Sequence, residues 1–171
     1  MRVAPQQRRS GFNAVTWDDS SVFGELETSV GRLSECLHGL GDTLDIVTHS
    51  FGDWLFRQVA ARGAADNVTK LVSLVPVMDA CTAARLVSPL GGLAPELAVM
   101  ASKERAAAAL QTPPGMERLI VWSRFDPWVN RVATEHFTNT RCIIVAGTHN
   151  TLLWQPRVHR LVVEHFRSEG G

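Results

Sequence analysis

The 171-residue sequence has no surplus of either charge, no cysteines at ligand spacing and no apolar run of membrane-spanning length. Basic and acidic residues number 17 each, which removes the electrostatic basis for holding nucleic acid or an anionic membrane surface and points to small or neutral partners. Cys36, Cys81 and Cys142 are scattered and odd in number, so reduced structural thiols are expected rather than a disulfide framework. No His-rich pair has a carboxylate or cysteine nearby, and no metal is expected. Arg2, Arg8 and Arg9 charge the N-terminus, but the apolar stretch of a signal peptide does not follow them. Stable membrane insertion is not expected either. The expected location is the cytoplasm, or outside the cell if the natural sequence extends upstream. Repeats and low-complexity linkers are missing as well.

What remains is a chain of ordinary apolar content, 45%, suited to one domain over residues 1–171 with a single core. Short branched runs alternate with longer amphipathic segments, which predicts an α/β architecture: a mostly parallel sheet of about five strands with helices on both faces. Strands are expected at Phe12–Trp17, Leu44–Thr48, Lys70–Val75, Arg118–Ser123 and Arg141–Ala146. Helices are expected near Ser21–His38, Phe51–Arg62, Pro95–Leu110, Val129–Phe137 and Pro156–Arg167. Within the third, Ser102 can cap an internal turn, Ala106 to Ala109 favour helix, and Thr112-Pro113-Pro114-Gly115 ends it. Residues 1–10 are expected to pack poorly, and residues 80–101, broken by Pro89, Gly91 and Gly92, to form a short cap region.

In a parallel sheet ligands gather at the carboxyl ends of the strands, and three ends carry complementary chemistry. Ser50 follows Leu44–Val47, Asp126 follows Leu119–Trp122, and His149 follows Cys142–Val145. A serine hydroxyl needs an imidazole to accept its proton, and the imidazole needs a carboxylate to fix its tautomer. Thr48-His49-Ser50-Phe51-Gly52 also lies where a strand meets a helix, so a tight turn would raise the hydroxyl above the sheet. Gly52 gives that turn room, whereas Thr48 is bulkier than the usual glycine.

These motifs resemble the α/β-hydrolase family, in particular its bacterial lipase and esterase branch. Leu44 to Gly52 resembles the nucleophile strand and elbow, Val121 to Asp126 the acid loop, and Val145 to His149 the histidine loop, so the resemblance covers about Gly11 to Phe166. It implies hydrolysis of a small-molecule carboxylic ester through an acyl-enzyme without a cofactor. Ser50 would attack, His149 would act as base and then acid, and Asp126 would orient it. The backbone N–H of Phe51 would be one oxyanion donor. Trp128 and Trp154, beside the acid and histidine loops, would line an acyl pocket. Thioester hydrolysis and acyl transfer use the same residues, and a non-catalytic interaction role is the alternative outside enzymes.

Each residue has a competing reading. Ser50 suits a helix N-cap, Asp126 before Pro127 suits a turn, and Asp79, after the Leu71–Val75 strand, is an alternative acid. His49 would pack beside the sheet or support the turn, and Asp53 would stabilise the helix N-terminus through its dipole. The family's usual strand beside the nucleophile strand, with its His-Gly oxyanion loop, has no counterpart ahead of Phe12. The chain would then be a shortened hydrolase, would pair Phe12–Trp17 with Leu44–Val47, or would form a homodimer at the open sheet edge. The second arrangement would bring the Asp18-Asp19-Ser20-Ser21 loop towards Ser50.

Overall fold

A computed structural model describes residues 2–3, 11–17, 25–81, 84–85 and 95–168. The Asp18–Ser21 loop, the expected start of the first helix, most of residues 1–10, and residues 82–83 and 86–94 of the expected 80–101 cap region lie outside the described residues. In chain order come β1 (Arg2–Val3), β2 (Val15–Thr16), α1 (Leu26–Gly39), β3 (Leu44–His49), α2 (Phe51–Ala61) and β4 (Val68–Leu74). After them come α3 (Pro95–Ala101), α4 (Lys103–Ala106), β5 (Glu117–Ser123), β6 (Thr140–Val145) and α5 (Pro156–Arg167).

The apolar runs at β3 to β6 pair in parallel in the order β3-β4-β5-β6. Because successive side chains of a strand face opposite ways, each central strand feeds two cores. Leu71, Ile120 and Trp122 face the layer of α1 and α2, where Val30, Leu33, Leu37, Phe56 and Val59 are buried. Val72, Leu119 and Val121 face α5, meeting Val158 and Val162. Each large apolar side chain fully withdrawn from water contributes about 1.5–3 kcal/mol, so these two layers dominate the folding free energy. Pro156 opens α5, where its missing N–H costs nothing. At the other end of that helix, the Lys70 ammonium donates to the carbonyls of His165, Phe166 and Ser168, matching the negative pole of the dipole.

Three expected elements differ. Phe12–Trp17 does not join the main sheet, which has four described strands rather than about five. Only Val15–Thr16 is strand, and it pairs antiparallel with Arg2–Val3. Its ends are anchored elsewhere: Phe12 meets Phe166 edge to face with ring centroids 5.9 Å apart, and Trp17 packs on the α1–α2 core. Among the described residues β3 therefore pairs only with β4, and its other edge has no strand partner.

The expected helix Val129–Phe137 is an extended loop ending in a turn. Its pattern came from two buried anchors, Val129 and Phe137, but Asn130 and Thr134 between them favour helix weakly. Asn130 instead donates its side-chain amide to the carbonyl of Ala80. Finally, Pro95–Leu110 splits at Ser102, whose hydroxyl accepts from the Arg105 N–H and starts α4. Helix ceases after Ala106 despite the following alanines. Arg57 draws the carbonyls of Ala106 and Ala108 into its own donors, and Arg118 takes that of Leu110. Buried guanidinium N–H groups not taken up by Asp53 need acceptors, and that need outweighs the few tenths of a kcal/mol that separate residues in helix propensity.

Candidate active site

Ser50 stands between β3 and α2 with φ 53° and ψ −122°, a conformation that L-residues rarely adopt. Such geometry costs about 1–3 kcal/mol and persists only where the surroundings hold it. They do so here through the backbone: the Ser50 N–H donates to Leu74 at 2.9 Å, and the Ser50 carbonyl accepts from Asp53 at 3.2 Å and Val77 at 3.4 Å. Its hydroxyl makes no capping bond to α2, so the N-cap reading fails. Phe51 opens α2, and its N–H therefore has no intrahelical acceptor. Gly52 has ordinary space around it: an added Cβ would meet nothing within 4 Å. The expected demand for a small residue there is absent.

Thr48 is buried for a reason the sequence did not suggest. Its hydroxyl donates to Asp53 Oδ1 at 3.2 Å. Asp53 is entirely buried and receives Arg118 on both oxygens at 2.8 and 2.9 Å, Arg57 Nε at 3.0 Å and the Ser73 hydroxyl at 2.6 Å. The dipole reading of Asp53 is thus replaced by a buried ion cluster tying the Ser50 turn to β4 and β5. Burial acts to raise the Asp53 pKa, but Arg118, Arg57 and the Ser73 bond outweigh it and hold the carboxyl below its usual range. Burial also lowers the pKa of Arg57, yet a guanidinium stays charged. The Asp53–Arg57 spacing of four residues on one helix face was the signal available in the sequence.

Asp126 and His149 meet. His149 Nδ1 lies 2.8 Å from Asp126 Oδ2, and the two side chains are only 11% and 5% exposed. The other carboxylate oxygen, Oδ1, accepts from the N–H groups of Trp128 at 2.9 Å and Val129 at 3.0 Å. The turn reading of Asp126 therefore holds together with its contact to the imidazole. A carboxylate at Nδ1 fixes the proton on that nitrogen and leaves Nε2 able to accept. Asp79 is elsewhere occupied, taking the Ala80 N–H on Oδ1 at 2.8 Å, and makes no bond to His149.

The loop bearing His149 depends on Gly147, which has φ 144°. A Cβ there would come within 2.4 Å of Gln155 Nε2 and 2.9 Å of Thr151 Oγ1. Both atoms brace the loop, Gln155 donating to the Ala146 carbonyl and Thr151 accepting from the Thr148 N–H. Gly147→Ala is expected to cost about 1–3 kcal/mol through backbone strain, read as a lowered midpoint in urea unfolding.

Ser50 is joined to neither imidazole by a hydrogen bond. The ring nearest it in sequence, His49, reaches across the sheet ends to the His149 backbone, rather than packing beside the sheet or supporting the turn. Trp128 is 46% exposed and Trp154 79%; both lie on the loops expected, facing largely into solvent. Among the described residues no group of three or more His, Cys, Asp or Glu could hold a metal, and no helix is long and apolar enough to cross a membrane. The arrangement offers an acceptor nitrogen held by a carboxylate, a hydroxyl on a strained turn and a free N–H at a helix N-terminus.

No family model and no curated relative matches the sequence. Solved structures do. A monoacylglycerol lipase of Paleococcus ferrophilus superposes with a TM-score of 0.60 over 85% of this chain and 76% of its own, at 15% identity. A 2-hydroxy-6-oxo-6-phenylhexa-2,4-dienoate hydrolase of Rhodococcus sp. strain RHA1 does so at 0.58 over 88% and 75%, with 18% identity. An alpha/beta hydrolase enzyme from a Medee basin deep-sea metagenome library reaches 0.60 over 93% and 78%, with 14% identity. At identities this low the likeness is one of fold, and the fold is that of the α/β-hydrolases.

Proposed function

We propose that this chain, a hydrolase by fold, is a serine hydrolase cleaving carboxylic esters through an acyl-enzyme on Ser50. The observation that carries the reading is the buried Asp126–His149 pair at 2.8 Å, facing the same sheet end as a serine of φ 53°. His149 Nε2 takes the Ser50 proton as Oγ bonds to the ester carbonyl carbon. The imidazolium is stabilised by Asp126 and then gives the proton to the departing alcohol. Water repeats the sequence, with His149 again the base, and releases the acid. The developing oxyanion lies towards the Phe51 N–H and the α2 N-terminus, where the helix dipole favours negative charge. The structural neighbours, which include a lipase and another hydrolase, support the same class of chemistry.

A fluorophosphonate probe tests the reading, since it phosphonylates only an activated serine. Native protein should be labelled and Ser50→Ala should not. The labelling rate should rise with pH as the base loses its proton and then level off, because only the neutral imidazole accepts. Equal labelling of both proteins, or of neither, would defeat the proposal. The edge of β3 that has no strand partner among the described residues favours a second reading, an interaction protein on a hydrolase fold. An open strand edge accepts another strand, including that of a second copy. That reading gains if Ser50 proves unreactive.

A further inference from the structure

His49 takes part in none of the steps above, yet its ring lies 4.9 Å from that of His149, centroid to centroid, tilted by 58°. Its Nε2 is 3.2 Å from the His149 backbone carbonyl oxygen. A carbonyl only accepts, so Nε2 carries a proton and donates. The neutral Nε2–H tautomer suffices. Burial, the largest influence, holds the His49 pKa below the usual histidine value, with the His149 charge acting the same way and the backbone bond and Asp126 opposing it.

The position of this bond gives it meaning. His149 follows β6, which lies three places from β3 in the sheet order β3-β4-β5-β6, so no ladder bond connects its loop to the strand leading into Ser50. The loop's other bonds run to its own side of the sheet: the Ser123 hydroxyl donates to the Gly147 carbonyl, and Phe125 N–H does so at 3.2 Å. The imidazole is likewise anchored, through Nδ1, to the acid loop after β5. All of these set where the base stands relative to Asp126. The His49 bond alone among them sets where it stands relative to Ser50, because His49 precedes the serine in the chain.

We infer that His49 is a positioning residue for the proposed hydrolysis: its Nε2–H bond to the His149 carbonyl ties the histidine loop to the Ser50 strand and fixes the span between nucleophile and base. The inference rests on the function proposed above. Proton transfer falls steeply with misplacement, and an error of about 1 Å can cost 100-fold in rate.

The experiment compares native protein with His49→Gln, whose side-chain amide still offers a donor, and His49→Phe, which keeps bulk and loses it. Two quantities are read: the fluorophosphonate labelling rate and the NMR shift of the His149 backbone carbonyl carbon, the acceptor of the bond. His49→Phe should label about 10- to 100-fold more slowly and move that shift towards the value of an unbonded carbonyl, while its thermal midpoint stays close to native. His49→Gln should restore both. Equal losses in the two variants, or native behaviour in both, would overturn the inference. If native protein and Ser50→Ala alike fail to label, the functional reading falls instead. The NMR arm then still decides, an unaltered His149 carbonyl shift in His49→Phe counting against a positioning role.

Discussion

The Asp126→Asn variant should turn over esters about 10⁴-fold more slowly than native protein while keeping its fold, the scale of loss when a base is held in the wrong tautomer. The geometry dictates which way the new amide must face. Oδ1 of Asp126 accepts two backbone N–H groups, from Trp128 and Val129, and only the oxygen of an asparagine can keep both bonds. Its NH₂ then turns to His149 Nδ1, where it donates. Nδ1 must give up its proton to accept, the proton moves to Nε2, and the nitrogen facing the serine can no longer act as a base. Stability should change little, because the turn bonds survive. Asp79→Asn should leave the rate near native, since Asp79 accepts the Ala80 N–H and makes no bond to His149. Initial rates on a chromogenic short-chain ester check both variants, and a reversed outcome would transfer the acid to Asp79.

The largest loss of stability is expected at Asp53, whose replacement by alanine should cost about 3–5 kcal/mol, the range for breaking a buried ion pair from one side. Arg118 and Arg57 are 1% and 3% exposed, so deleting the carboxylate leaves two guanidinium charges buried without a counter-charge. They cannot simply swing to water, because Arg57 also serves the carbonyls of Val77, Ala106 and Ala108 and Arg118 that of Leu110. For a chain of this size the cost corresponds to a fall in melting temperature of about 6–20 °C. The pH dependence has a definite sign. The folded pKa of Asp53 lies below its unfolded value, so its contribution is complete above the unfolded pKa, about 3.9. It is lost as pH falls through the lower folded value. Native and Asp53→Ala proteins should therefore differ most near neutrality and converge in strong acid. A constant difference across that range, measured by urea unfolding at several pH values, would remove Asp53 from its proposed role.

Much of the fold was legible because it depends on short-range patterning. β3 to β6 fell within two residues of the expected strands, and α5 occupies the expected span of Pro156–Arg167. The failures share a cause. Ala107 to Ala109 read as helix, yet their segment is bent to present the carbonyls of Ala106 and Ala108 to Arg57, 49 and 51 positions away in sequence. Phe12–Trp17 read as a sheet strand, but Phe12 and Trp17 are claimed by Phe166 and the α1–α2 core. Val129 to Phe137 has helical spacing at its anchors, but Asn130 and Thr134 between them are weak helix formers and Asn130 binds Ala80. In each case a long-range partner outweighed a local preference worth less than about 1 kcal/mol per residue.

The sequence by itself determined that strands alternate with helices and that Ser50, Asp126 and His149 each follow a strand. Periodicity and chain order suffice for those, since side-chain direction along a strand or helix repeats every few residues. Only the tertiary structure decided which carboxylate reaches His149, what Asp53 neutralises, and that His49 spans to the base. Those contacts join residues 23, 65 and 100 positions apart. Their existence depends on which strands are neighbours and how the loops above them are braced, and no local pattern encodes that. The backbone of Ser50 belongs with them: its φ of 53° is held by bonds to Leu74 and Val77, supplied by the neighbouring strand β4 and the loop that follows it.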